Sequence, residues 1–369
     1  MTDKMETLKS IRKVTDYSDF NLYQMKVHYN YNLEKVIQSR ITDDATLIKA
    51  ILNEALPQGS SGTNIDLGAF GCTAFKMKCI DGKLRMGRSY DFAQDTSGML
   101  VYCPPIKEIR FASMGFAALN NIWSNDPLEK GNLGALAAPF VCLDGINENG
   151  VAIAVLTLDS NPMRPTDDQR PTITTSLAIR LVLDRAIDAK HAAELLGQYN
   201  MFASFGRDYH FFITDSGGTA IGIEYSLDEN RKFIHTETVP LSTGARPLQA
   251  MTNFFISYIN KVKPYQGNTV YGHGRERYDR VIDFMDKYEN HYTEKIAWKT
   301  LISVVQDPGD NITSNTQWSV MYDMTDKKLK IVFRRHFEEN WRYTLGDEQM
   351  VRGIGDEWMK EYYDETREN

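Results

Sequence analysis

The chain has 369 residues, 42% of them hydrophobic and 25% charged, which is enough to bury one large core or two smaller ones. A formal net charge of -7 argues against a dominant nucleic-acid surface, since phosphate binding calls for a basic stripe, and no apolar run is long enough for a signal-peptide core or a membrane span. Cys72, Cys79, Cys103 and Cys142 form no C-x-x-C pair, so neither a disulfide scaffold nor a zinc site is indicated, and a cytoplasmic location is expected.

In chain order, residues 1–56 read as helical. Leu33, Val36, Ile37, Ile41, Leu47, Ile48, Ile51, Leu52 and Leu56 recur at a helical period, and Thr42-Asp43-Asp44 splits them into two short helices. Pro57-Gln58-Gly59-Ser60-Ser61-Gly62-Thr63-Asn64 has linker composition and ends shortly before Cys72. Beyond it, strands are expected over 72–79 and 83–88 around the turn Asp81-Gly82, then over 140–143 and 151–158 around Asn147-Glu148-Asn149-Gly150. Helices follow over 172–189 and 192–199, strands over 210–214, 220–225 and 232–236, helices over 276–288 and 294–305, and a hairpin over 317–323 and 328–334. The acidic, aromatic tail 348–369 reads as one more surface helix. Sheets interrupted by paired helices, without strict βαβ alternation, predict an α+β fold with helices layered on antiparallel sheets.

The most informative local feature is Gly71-Cys72-Thr73-Ala74-Phe75, followed one hairpin later by Gly87-Arg88-Ser89-Tyr90-Asp91-Phe92. A thiol is only partly ionised near neutral pH, so a nucleophilic cysteine needs a base or a cation beside it. Arg88 supplies a charge, but the seven histidines offer no evident Cys-His-Asn or Cys-His-Asp arrangement. Another base exists if the bond before Cys72 is cut: the freed α-amino group, with a pKa of about 8, sits beside its own thiol. Gly71 presents no side chain to hinder attack on its carbonyl. A lone Gly-Cys pair is more often a core cysteine after a turn, and Arg88 and Asp91 alone are more often a structural ion pair. Asn253 alone reads as a turn residue, and Arg277 and Arg280 as a solvated helix face. Gly272-His273-Gly274-Arg275 lacks the spacing and Lys-Ser or Lys-Thr of a phosphate loop, and the aromatics near Trp341, Trp358, Tyr362 and Tyr363 lie among acidic residues, which favours packing over nucleic-acid stacking.

These runs, with Asp144-Gly145-Ile146-Asn147-Glu148-Asn149-Gly150, His210-Phe211-Phe212-Ile213-Thr214-Asp215, Met251-Thr252-Asn253, Arg277-Tyr278-Asp279-Arg280-Val281 and Thr316-Gln317-Trp318-Ser319-Val320, together resemble the choloylglycine hydrolase family. That family contains conjugated bile acid hydrolases and penicillin V acylases and is related to acid ceramidase, all N-terminal nucleophile (Ntn) hydrolases. The resemblance implies a four-layer αββα sandwich with an N-terminal helical segment, divided into a helical propeptide or α-chain with linker (1–71) and a catalytic domain (72–369). It implies Cys72 as nucleophile, its freed amine as base, Arg88 and Asp91 as the pair that orients the amine and tunes the thiolate, Asn253 binding the amine or oxyanion, and Arg277 completing the network. Where many members carry an oxyanion asparagine on the strand after Gly150, this chain has Thr157, whose main-chain N–H is the expected donor. Asp159 is a poorer substitute, because a carboxylate repels an oxyanion.

The implied activity is hydrolysis of a linear amide, such as an N-acyl amino acid, bile salt conjugate or fatty acyl amide, through a thioester and without metal or organic cofactor. Loops 96–104, 119–133 and 160–170 are expected to line the acyl pocket. Acyl transfer to another amine and an unprocessed, non-catalytic scaffold remain alternatives. The amphipathic segment 31–56 is expected to stay docked after cleavage at Gly71-Cys72, making the chain's own N-terminal piece a partner beside the small-molecule substrate. Homo-oligomerisation is left open.

Overall fold

The computed structural model describes residues 2–56, 70–122, 125–158, 170–202, 206–225, 233–236, 248–267, 269–309 and 315–368. Its strands are β1 (Arg12–Lys13), β2 (Leu22–Lys26), β3 (Phe70–Lys78), β4 (Leu84–Phe92), β5 (Gly98–Cys103), β6 (Ser113–Ala118), β7 (Cys142–Asn147), β8 (Ala152–Leu158), β9 (Thr172–Thr174), β10 (Asn200–Phe202), β11 (Asp208–Thr214), β12 (Ala220–Tyr225), β13 (Phe233–Thr236), β14 (Ala250–Met251), β15 (Thr316–Asp323), β16 (Lys328–Phe333), β17 (Trp341–Thr344) and β18 (Val351–Arg352). The α-helices are α1 (Thr2–Lys9), α2 (Leu33–Ile37), α3 (Asp44–Ala55), α4 (Thr175–Arg185), α5 (Ala189–Gly197), α6 (Arg275–Lys287), α7 (Glu294–Ser303) and α8 (Trp358–Glu368).

Two large sheets carry the architecture. One has nine strands in the order β1-β2-β5-β6-β7-β8-β11-β12-β13, the other seven in the order β14-β3-β4-β15-β16-β17-β18. Helices α4 and α5 lie on the first sheet, α6 and α7 on the second, and β3 faces β8 and β11 across the middle. The molecule is therefore an αββα sandwich, as the sequence implied. Pairing within both large sheets is antiparallel apart from β2 with β5. The cause is visible in the strands: β4, β6, β7, β8 and β15 are buried along their whole length, because each has a sheet neighbour on both sides and a packed layer above and below.

Both expected tight turns are present, with Gly82 at φ 79° and Gly150 at φ 78° in the left-handed region that only glycine enters without strain. The split near Thr42-Asp43-Asp44 also has a physical basis: Asp43 caps α3, its carboxylate accepting the Thr46 N–H at 2.7 Å while Thr46 Oγ1 accepts the Asp43 N–H. Several elements differ from expectation. Residues 12–13 and 22–26, read as helical, form β1 and β2, and β2 enters the nine-stranded sheet parallel to β5, Met25 opposite Val101. Residues 98–103, read as part of a loop, are β5. Residues 172–174, read as the start of a helix, are β9, paired in parallel with β10, and α4 begins only at Thr175.

The N-terminal residues share their core with the rest. Leu22, Tyr31, Val36 and Ile51 belong to one continuous apolar cluster with residues of both sheets. A buried polar network adds to this. The Tyr31 hydroxyl donates to Asp184 on α4 at 2.7 Å, Arg180 Nε donates to the same carboxylate at 2.9 Å, and the Arg110 guanidinium lies 4.5 Å from the Tyr31 ring centre. Arg180 and Asp184 are both buried, so each requires the other.

Candidate active site

The site is assembled at the β14 edge of the seven-stranded sheet. The antiparallel register that pairs Met251 with Ala74 carries on to bring Asn253, just past β14, level with Cys72. On the other side, Cys72 pairs with Tyr90 and Ala74 with Arg88. Paired residues in a ladder share a face, so Cys72, Arg88 and Tyr90 all point into the space between the sheets. There Arg88 Nη2 donates to the Val155 carbonyl of β8 at 2.9 Å, and its Nε lies 3.5 Å from Asp144. Asp144 is itself held by Trp318 Nε1 at 3.1 Å and the Tyr322 hydroxyl at 2.5 Å.

Asp91 stands three residues from Arg88, an odd number, which puts it on the opposite face. Its carboxylate accepts hydrogen bonds from Ser89 Oγ at 2.8 Å, Thr316 Oγ1 at 2.5 Å and Gln306 Nε2 at 2.6 Å, and lies 3.9 Å from Arg277 Nη1. Arg88 and Asp91 thus flank the Cys72 strand from two sides, and neither accepts the Cys72 N–H. Asn253 does: its Oδ1 accepts that N–H at 2.7 Å, while its Nδ2 donates to the Thr157 carbonyl at 2.8 Å. Arg277, from the first turn of α6, donates to Asn253 Oδ1 at 2.6 Å, the Cys72 carbonyl at 2.5 Å and Thr73 Oγ1 at 2.9 Å. Asn253 and Arg277 therefore hold both peptide groups of Cys72.

All six side chains are buried: Cys72, Arg88, Asp91 and Asn253 at 0% exposure, Thr157 at 1% and Arg277 at 4%. Burial raises the Cys72 thiol above its ordinary pKa, Arg88 and Arg277 pull it back, and Asp91 adds to the rise. Three buried polar atoms here have no hydrogen-bond partner: Arg88 Nε, Thr157 Oγ1 and Arg277 Nε. Gly71, on β3 level with Asp91, is buried as well.

One stretch set aside in the sequence proves structural to the site. Gly272 and Gly274 have φ of 98° and 81°, and a Cβ on them would come within 2.1 Å of the Asn253 carbonyl oxygen and 2.4 Å of Arg277 Nη2. The His273 N–H donates to the Asn253 carbonyl at 2.9 Å. The Gly-His-Gly run is the mould around Asn253 and Arg277, and its sequence signal was the paired glycines directly before a helix. Burial and the neighbouring Arg277 lower the His273 pKa to about 4. Of the expected pocket loops, 96–104 is mostly β5, and 160–169 lies, with Asp159, outside the described residues. A cavity of about 580 Å³ lined by Arg85, Trp298, Lys330 and Arg342 includes none of the site residues. Among the described residues no cluster of His, Cys, Asp and Glu could hold a metal ion, and no helix is long and apolar enough to cross a membrane.

Residues 72–255 match the family model described as linear amide C-N hydrolases, choloylglycine hydrolase family. Through this segment the chain belongs to that family. Choloylglycine hydrolases act on carbon–nitrogen bonds in linear amides, and the match begins at Cys72 itself. No curated protein matches the chain in sequence. Among solved structures, a cysteine-to-alanine mutant of conjugated bile acid hydrolase from Clostridium perfringens is similar at a TM-score of 0.53 and 13% identity, covering 78% of this chain and 97% of that one. An arginine-to-leucine variant of the same enzyme gives 0.54 and 15%, with 77% and 98% covered. Penicillin V acylase from Agrobacterium tumefaciens gives 0.50 and 17%, with 75% and 93% covered. At such identities the likeness is one of fold.

Proposed function

We propose that this choloylglycine hydrolase family member is a self-processing cysteine amidase. The bond between Gly71 and Cys72 is cut, and Cys72 becomes both an N-terminus and the nucleophile. The observation that carries this reading is the pair of hydrogen bonds on Cys72: Asn253 Oδ1 on its nitrogen and Arg277 Nη1 on its carbonyl. A core cysteine on a strand would spend its N–H on the ladder. Here that nitrogen meets a side-chain acceptor suited to orienting an amine. The altered cysteine and arginine of the two Clostridium perfringens structures stand as far apart in their chain as Cys72 and Arg88 do in this one.

In the cleavage step, Cys72 Sγ attacks the Gly71 carbonyl, the carbon–nitrogen bond breaks, and water hydrolyses the resulting ester of the thiol. In turnover, the free amine takes the thiol proton as Sγ adds to the substrate carbonyl, then passes it to the leaving amine; water releases the acyl group and restores the thiol. The Thr157 hydroxyl, buried and unpartnered, is the side-chain donor for the oxyanion, in place of the expected main-chain N–H. Arg88 stabilises the thiolate that burial disfavours. The substrate is an acyl amide of the N-acyl amino acid, bile salt conjugate or fatty acyl amide class.

Residues 1–71 stay bound after cleavage, since β2 is an interior strand and Tyr31 is tied to Asp184. Intact mass and N-terminal sequencing of wild type beside Cys72→Ala test the reading. A new N-terminus at Cys72 in wild type alone supports it. An uncut wild type that still hydrolyses acyl amides overturns the amine as base.

A further inference from the structure

His210 and Glu224 form a buried pair that the reaction described above does not use. They lie on adjacent antiparallel strands, one step beyond the pair Phe211 and Ile223, so they stand opposite each other on one face. Both are buried, at 0% and 1% exposure. His210 Nδ1 is 3.1 Å from Glu224 Oε1, and His210 Nε2 is 2.7 Å from the Thr252 carbonyl oxygen. A carbonyl can only accept, so Nε2 carries a proton. Nδ1 faces a Glu224 oxygen that also accepts the Ile256 N–H at 2.7 Å, so a buried hydrogen bond joins the two side chains. Burial opposes the carboxylate form of Glu224, but His210 and Ser257 outweigh it and hold its pKa below the usual range.

The remaining Glu224 bonds go to the same stretch of chain. Glu224 Oε2 accepts the Ser257 N–H at 3.1 Å and the Ser257 hydroxyl at 2.6 Å. The stretch from Thr252 to Ser257 is thus gripped at its start by His210 and at its end by Glu224, and Asn253 is the second residue of it. Thr252 Oγ1 also donates to the Gly274 carbonyl at 2.9 Å, which ties the stretch to the mould around Arg277. Burying two polar side chains in adjacent strands carries a desolvation penalty that an apolar pair would avoid, so their presence calls for a positional reason. Here that reason is geometry: β14 is only two residues long, too short for the ladder alone to fix the residues after it.

We propose that His210 and Glu224 are positioning residues for the amide hydrolysis: the hydrogen-bonded pair fixes the segment carrying Asn253, and through Asn253 Oδ1 it sets where the Cys72 nitrogen sits. The inference rests on the amidase reading for its catalytic consequence, and on the hydrogen bonds alone for its structural one. It acts without touching substrate, as groups behind a reacting shell commonly do, with losses of about 10–100-fold on mutation.

The test uses full-length wild type, His210→Phe, which keeps a planar ring and loses both ring nitrogens, and His210→Gln, which restores a donor toward the Thr252 carbonyl. For His210→Phe the expected result is a kcat lower by about 10–100-fold at a KM within about twofold of wild type, with partial recovery of kcat in His210→Gln. Hydrogen exchange read by mass spectrometry is expected to speed up over residues 252–257 and stay unchanged in β15 and β16. A folded His210→Phe with wild-type kcat, a KM that rises with kcat unchanged, or exchange that rises evenly along the chain overturns the proposal. Where the Phe variant does not fold, Glu224→Gln gives the same readouts: lower kcat at constant KM with local exchange supports it, and wild-type values for both overturn it. A wild type that turns over no acyl amide counts against the amidase reading alone, because the exchange measurement needs no turnover.

Discussion

Asn253 Oδ1 lies 2.7 Å from the backbone nitrogen of Cys72, although 181 positions separate the two in the chain. The same oxygen accepts from Arg277, and the amide nitrogen beside it is committed to Thr157. Asn253 is therefore oriented from three sides before any substrate arrives. Asn253→Ala removes the acceptor and leaves Arg277 Nη2 without that partner. Processing and turnover are expected to fall by about 10²–10³-fold, the scale of losing one preorganised polar group. The cut fraction over time, read by intact mass, measures it; cleavage at the wild-type rate would remove Asn253 from the site.

Arg88 and Asp144 are both fully buried, with 3.5 Å between Nε and Oδ2. Arg88→Leu leaves the carboxylate with Trp318 and Tyr322 but no cation, at a cost of about 3–5 kcal/mol. Urea denaturation measures the loss. The same variant removes the main pull against burial on the Cys72 thiol, so alkylation of Cys72 by iodoacetamide is expected to slow at pH 8. Unchanged alkylation would detach Arg88 from thiolate stabilisation.

Gly272→Ala combines a φ of 98° with a Cβ only 2.1 Å from the Asn253 carbonyl oxygen. Backbone must move, and what moves is the residue that holds the Cys72 nitrogen. A loss of about 1–3 kcal/mol together with slower processing is expected. Gly82→Ala is the control, since its φ is 79° but no atom lies within 4 Å of the added Cβ; it should lose stability without slowing the cut.

His273 is held neutral in the folded protein, with its pKa lowered to about 4 by burial and Arg277. The unfolded chain takes up this proton first as the pH falls. Its contribution to stability is therefore complete above the ordinary value of 6.5 and is lost progressively between 6.5 and about 4. Thermal melts across that window should show Tm falling with pH, and His273→Gln should flatten that part of the slope. A slope identical in the variant would assign the acid sensitivity to other groups.

Residues 72–369 expressed alone would expose the β5 edge where β2 belongs, and the apolar run Met99-Leu100-Val101 with it. That chain is expected to be insoluble, and co-expression with residues 1–71 to restore it. Recovery of soluble, monomeric 72–369 would show that the N-terminal piece is dispensable for the fold.

The hairpin of β3 and β4, the paired helices and the turn glycines were legible because each has a local cause: alternation, period or a positive φ. The opposite-face placement of Arg88 and Asp91 was not read, because the strand was expected to end at residue 88 and β4 runs on to Phe92. β5 escaped because a strand buried on both faces shows a continuous apolar run, Met99-Leu100-Val101, with no alternation to announce it. β2, with Leu22, Tyr23, Gln24 and Met25 all buried, escaped for the same reason. The order of motifs gave Asn253 and Arg277, but their contact with Cys72 depends on a two-residue strand finding its register from far along the chain. His210 and Glu224 left no spacing signal, because cross-strand partners are set by the turn between them.

The place of β2 between β1 and β5 makes the uncut and cut proteins different kinds of folding problem. While the bond before Cys72 is whole, β2 reaches β5 as part of one chain, and closing that loop is a first-order event. Once the bond is cut, the same strand would have to return from a separate molecule, at a rate that falls with dilution. Cleavage would thereby turn a reversible fold into one whose loss, on heating a dilute sample, does not undo itself on cooling.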